Sequence, residues 1–229
     1  MQKIIGLCFL TATLLASSAH AQSIFIEKGD PNTMNAMVGA GVLKDAWGAS
    51  LIGGFSYRGV FDVGLDFTRY AYTGGNAKNL AGYGAMPFVS AHLLRADESM
   101  PISIAVLLGV QRIFYTGNGP SSGPVANPEG WGVVAGPSVY RRFEFGTNFV
   151  FVPELLVAYD YQSTRYYSTA LDQSSGNATA TIFNGYSNPT TSTVRALLRP
   201  NLLYKRITVV PYVGYQGALA AGIDVGSIF

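Results

Sequence analysis

From Phe61 the chain reads F-D-V-G-L-D-F-T, so Phe61, Val63, Leu65 and Phe67 alternate with Asp62, Gly64, Asp66 and Thr68. A period of two puts these sets on opposite faces of an extended strand, one suited to an apolar surrounding and the other to a polar one. The pattern returns. Phe149, Phe151, Pro153, Leu155, Val157, Tyr159 and Tyr161 alternate with a face holding Glu154, Asp160 and Gln162, and Val194, Ala196, Leu198, Leu202 and Tyr204 alternate with Arg195, Arg199 and Asn201. Turn residues divide the chain into about ten predicted strands, near 35–43, 47–57, 61–72, 80–94, 101–115, 131–143, 149–163, 193–204, 207–217 and 221–229. Eight is the alternative count, because "GALA" at 217–220 makes a poor turn between the last two.

The connectors sort by parity. Those after the second, fourth, sixth and eighth strands are short: Arg58-Gly59, Arg95 to Met100, Glu144 to Asn148 and Lys205-Arg206. Those after the third, fifth and seventh are longer and rich in Gly, Ser, Thr, Asn and Pro, notably 116–130 and 164–192. Short turns at one end and long loops at the other are the asymmetry of bacterial membrane barrels, whose long loops lie outside.

Composition turns this pattern into a fold class. The chain is 48% hydrophobic and 12% charged, where roughly 25% charged is usual for a soluble domain. Beyond the extreme N-terminus no run approaches the roughly 20 apolar residues of a spanning helix. A chain of this kind satisfies its backbone in lipid only as a closed barrel. The expectation is an all-β, closed antiparallel transmembrane β-barrel over 34–229, preceded by a periplasmic N-terminal segment over 22–33 and a cleavable signal peptide over 1–21. Lys3, the apolar stretch from Ile4 to Leu15, and Ala19-His20-Ala21 carry the signal reading. Cleavage there removes Cys8, the single cysteine, so no disulfide is expected. With 15 basic and 13 acidic residues the charges nearly balance, and no nucleic-acid partner is indicated.

Aromatic residues near strand ends suggest two girdles at headgroup level: Trp47, Tyr57, Tyr70, Tyr72, Tyr83, Phe114, Tyr115, Trp131, Tyr159, Tyr161, Tyr166 and Tyr167. The chain ends on Phe229, with Val225, Ile223 and Ala221 on the same strand face and Ser227 where an apolar residue is usual. This ending resembles the C-terminal signature of bacterial outer-membrane β-barrel proteins. In overall shape residues 34–229 look like the small barrels related to the outer-membrane protein A transmembrane domain. The resemblance implies a Gram-negative outer membrane, contact with its lipid and lipopolysaccharide, and reading of Phe229 by the barrel-assembly machinery.

Candidate chemistry is sparse. Ser90 and His92 are a nucleophile and a base on one strand face, near the turn end of the barrel rather than the loop end. Asp62 and Asp66 share a face four residues apart, about 13 Å along a strand, too far to share a proton, and are expected to pair with lumenal arginines. If Phe149 pairs with Tyr204, paired residue numbers sum to 353, which sets Glu154 opposite Arg199 and leaves Arg195 one diagonal step from Asp160 as a second, looser pair. No metal-spaced cluster, cofactor motif or phosphate-binding loop is present. Tyr166, Tyr167, Phe183 and Tyr186 lie in the longest loop, among residues suited to adaptable contact with an unidentified extracellular ligand. The reading is a non-enzymatic scaffold displaying its loops for surface interaction or envelope integrity. Its alternatives are a lipid-modifying hydrolase or acyltransferase using Ser90 and His92, and a narrow channel for a small solute.

Overall fold

The computed structural model describes residue 25 and residues 30–73, 81–97, 99–116, 125–168, 185–187 and 190–229. Ten long antiparallel strands form the wall: β1 (Thr33–Leu43), β2 (Ala46–Tyr57), β3 (Phe61–Tyr72), β4 (Ala81–Leu94), β5 (Ser103–Thr116), β6 (Val125–Tyr140), β8 (Phe149–Ser168), β10 (Thr190–Tyr204), β11 (Ile207–Gln216) and β12 (Leu219–Ile228). Two three-residue strands, β7 (Phe143–Phe145) and β9 (Gly185–Ser187), pair only with β8. β12 pairs with β1, with Asn35 opposite Ile228 and Leu43 opposite Ala220, so the barrel closes and no ladder edge is left for lipid. Both chain ends of the wall lie at the rim that carries the short turns.

Alternation explains why these segments fold as they do. Val38, Leu51, Leu65, Val106, Leu155, Leu198 and Ile223 project outward from seven strands and are all exposed, and their in-between neighbours face the lumen, buried or half-buried. A monomer in water does not present so continuous an apolar surface. This belt faces hydrocarbon, and the chain is a membrane-spanning barrel of the outer-membrane type.

Parity corrects the aromatic girdles. Trp47, Tyr57, Tyr83, Phe114, Trp131 and Tyr159 stand on the outer face, but Tyr70, Tyr72 and Tyr115 are buried inside. They share the strand face of Asp66 or of Gln111, and proximity to a strand end cannot override that.

Strand bounds depart from expectation where turn signals misled. β5 starts at Ser103 rather than 101, after Pro101, which has no N–H for the ladder. The sixth predicted strand ends at Tyr140 instead of running to 143, and only its last predicted residue, Phe143, returns as the start of β7. The presumed loops 116–130 and 164–192 are strand at their margins: β6 and β8 stay paired up to Val125 opposite Ser168, and Tyr166 to Ser168 pair in turn with β9. The register shifts between Ala126 and Glu129, which accommodates Pro128. The last hairpin forms with Tyr215 opposite Leu219, because Gly217 takes a left-handed φ of 77° and the Gln216 N–H donates to Ala218 O at 2.8 Å. Ten strands, not eight, complete the wall.

Candidate functional site

The lumen is where the chain concentrates its buried polar residues. Two apolar clusters occupy it. One, toward the turn end, includes Met37, Ile52, Met86, Leu107, Leu156 and Val210. The other, toward the loop end, is built from Leu43, Ala46, Tyr70, Tyr72, Ile113, Tyr115 and Ala220. Small residues make room for the polar groups among them. A Cβ on Gly39 would lie 1.8 Å from Asp224 Oδ1 and 2.5 Å from Ser50 Oγ, so only glycine lets that carboxylate cross from β12 over β1.

On the wall of β8 and β10 every residue pair sums to 353, from Thr190 opposite Ser163 to Tyr204 opposite Phe149. Glu154 therefore stands opposite Arg199, and the Arg199 Nη1 to Glu154 Oε2 distance is 3.4 Å. Arg195 reaches diagonally to Asp160, its Nη2 donating to Oδ2 at 2.5 Å. All four side chains are fully enclosed. The diagonal pair is thus the closer one, the reverse of the expected order. Asn201 explains it: its Nδ2 donates to Glu154 Oε2 at 3.1 Å, taking a position that Arg199 would otherwise use.

On the wall of β3 and β4 the carboxylates take other partners. Asp62 pairs in register with Ser90, and its Oδ2 lies 3.2 Å from His92 Nε2. The other ring nitrogen, Nδ1, lies 2.7 Å from the Tyr140 hydroxyl of β6. With its proton on Nε2, the neutral ring donates to Asp62 and accepts from Tyr140, so both nitrogens are engaged. Ser103 hydrogen-bonds the same tyrosine and accepts the Ala96 N–H at 2.8 Å. Asp66 accepts the Thr68 hydroxyl at 2.8 Å, with Arg195 and Asp224 within electrostatic reach. Asp62 thus meets the His92 imidazole with Arg95 within electrostatic reach, and Asp66 meets the Thr68 hydroxyl with Arg195 within electrostatic reach. Farther toward the loops, Gln162 Nε2 donates to Gln111 Oε1 at 3.3 Å, and Gln111 Nε2 to the Tyr70 hydroxyl at 2.9 Å.

The remaining candidates lie apart. Phe229 exchanges two backbone hydrogen bonds with Met34, of 3.0 and 2.8 Å, and its ring is 66% exposed on the outer face. Tyr166 and Tyr167 pair with Ser187 and Tyr186 through the backbone, and Phe183 lies outside the described residues. Sequence reasoning missed Tyr140 and Ser103, whose contacts cross from neighbouring strands, the contact that Asn201 of the polar face makes with Glu154, and Phe25, which is buried within the lumen. Among the described residues no three His, Cys, Asp or Glu side chains are placed to hold a metal ion.

No protein-family model matches the chain, and no curated protein sequence does. Three solved barrels illustrate its structural neighbours. The β domain of the Bordetella autotransporter BrkA is 12% identical with a TM-score of 0.41, over 86% of this chain and 98% of that one. Neisserial surface protein A is 14% identical with a TM-score of 0.33, over 85% and 94%. Ail, the attachment invasion locus protein of Yersinia pestis, solved with the heparin analogue sucrose octasulfate, is 10% identical with a TM-score of 0.29, over 87% and 100%. None of the three lends this chain a function.

Proposed function

We propose that the chain is a non-enzymatic scaffold of the Gram-negative outer membrane, whose closed wall carries extracellular loops for surface contact or envelope integrity. The observation that carries this reading is the filled lumen. Nine of the ten wall strands send side chains into the cluster at the turn end, and polar contacts occupy the space around it. Barrels of this size are ordinarily filled by their own side chains, which gives a rigid support rather than an aqueous path. The pairing of β6, β8 and β9 raises that support beyond the membrane band toward the longest connection. Against the lipid-modifying alternative, both nitrogens of His92 are engaged by Asp62 and Tyr140, so the imidazole is directed at these two groups and not at Ser90.

The test is an assay of the purified barrel in vesicles of phospholipid and lipopolysaccharide, with lipids followed by mass spectrometry beside a His92→Ala control. The expected result is unchanged lipid in both samples. Acyl release or transfer by the native protein that the control lacks would assign the chain to the enzymes instead.

A further inference from the structure

Phe25 is 1% exposed and shares one contiguous cluster with Met37, Ile52, Met86, Leu107 and Val210, inward-facing residues of five different strands. It precedes Thr33, the start of β1, by eight residues. At about 3.3 to 3.6 Å per residue that length is ample to pass from the rim into the lumen. Described residues between the two contact the rim at the turn end. The Arg58 N–H, in the turn between β2 and β3, donates to Asn32 Oδ1 at 3.2 Å. Asp30 lies within electrostatic reach of Arg95 at the end of β4, whose guanidinium hydrogen-bonds Gly59 O and stands 5.9 Å from the Tyr140 ring centroid. Asn32 and Asp30 thus stand by the β2–β3 turn and toward the exit of β4, and Phe25 is buried inside.

We infer that the apolar cluster at the turn end of the lumen is a binding site for an aromatic side chain, occupied in cis by Phe25, which acts as a removable stopper. The sequence reading set this residue in the periplasmic N-terminal segment over 22–33. Apolar burial accounts for its position: Phe25 is the aromatic centre of the apolar triplet Ile24-Phe25-Ile26, set between Ser23 and the charged Glu27, Lys28 and Asp30, and the lumen removes its ring from water. The ring is held by packing and the approach to it by polar contacts at the rim, so the occupant belongs to the chain without being part of the wall. The inference goes beyond the scaffold reading, which the lipid assay tests separately.

The experiment uses the full chain in a Cys8→Ser background, exported, purified folded from the outer membrane and checked by heat-modifiable migration. Single cysteines are introduced as Ile52→Cys, in the cluster, and as Asn32→Cys, on the exposed rim, and labelled with a hydrophilic maleimide. Ile52→Cys is expected to react far more slowly than Asn32→Cys. Adding Phe25→Asp should raise the Ile52→Cys rate by about tenfold or more, and Phe25→Leu should leave it slow. Equal Ile52→Cys rates with Phe25 and with Phe25→Asp, in barrels that still migrate as folded, would overturn the stopper.

Discussion

The wall of β8 and β10 and the wall of β3 and β4 both turn carboxylates into the lumen, yet they neutralise them differently. On the first, Glu154 and Asp160 meet Arg199 and Arg195 of the adjacent strand. On the second, Asp62 meets the His92 imidazole and Asp66 the Thr68 hydroxyl. The first arrangement is local to one hairpin, so facing and register together specify it. The second draws on a third strand, because the group that orients His92 is Tyr140 of β6. On the first wall the nearest partner of each carboxylate is a full positive charge or shares the carboxylate with one, whereas on the second the nearest groups are neutral donors, so losing one of them removes a weaker contact.

The largest effects are expected on the first wall. Glu154→Gln and Arg199→Met each leave one enclosed charge without its partner and should destabilise the folded barrel by about 3 to 5 kcal/mol. The double variant should recover part of that loss, and Asp160→Asn with Arg195→Met should behave alike. Urea unfolding in vesicles measures all six. Strictly additive losses would mean that the facing arginines and carboxylates do not act as pairs.

On the second wall the expected losses are smaller. Tyr140→Phe removes the hydroxyl that Nδ1 of His92 accepts and should cost about 1 to 3 kcal/mol, the penalty of an unsatisfied buried polar group. The same unfolding assay checks it, with His92→Ala in the background of Tyr140→Phe as the coupling control. A loss as large as that of Arg199→Met would erase the distinction between the walls. Thr68→Val, which takes one neutral donor from Asp66 and keeps the side-chain shape, should cost about 1 kcal/mol. No change on its removal would show that Asp66 relies on its more distant charged neighbours.

What was legible follows the same division. Facing was readable wherever polar and apolar residues alternate cleanly, and a constant sum turned facing into contacts between β8 and β10. The same arithmetic applies to β3 and β4, where Asp62 and Ser90 sum to 152 and place His92 one diagonal step away. No arginine stands on the inward face of either strand to prompt it, since Arg69 has the parity of the outward residues. Which diagonal is shorter was not legible, since Asn201 competes for Glu154 only after all three side chains are placed. Tyr70, Tyr72 and Tyr115 were misassigned because aromatic residues suit a filled lumen as well as a headgroup layer. Phe25 lies outside every strand, so no periodicity bears on it.

Asp97 extends the comparison to a carboxylate held by hydrogen bonds in water, in the turn that follows β4. Its Oδ1 accepts the Ser99 hydroxyl at 2.7 Å and the N–H groups of Ser99 and Met100 at 2.8 Å each. The Ser99 hydroxyl, ahead of the two N–H groups, holds the carboxyl below its ordinary 3.8. A depressed folded value means that the contribution to turn stability is fully present above the unfolded value and is lost as pH falls through the folded one. Full exposure to water keeps the effect small. The amide chemical shifts of Ser99 and Met100, followed by NMR in detergent micelles, should therefore titrate with a midpoint below 3.8. Ser99→Ala should move that midpoint upward, and Asp97→Ala should abolish the transition. A midpoint at or above the ordinary value, or one indifferent to Ser99→Ala, would show that the hydroxyl does not hold this carboxylate, and would leave enclosure in the lumen as the condition for Asp66 to depend on Thr68.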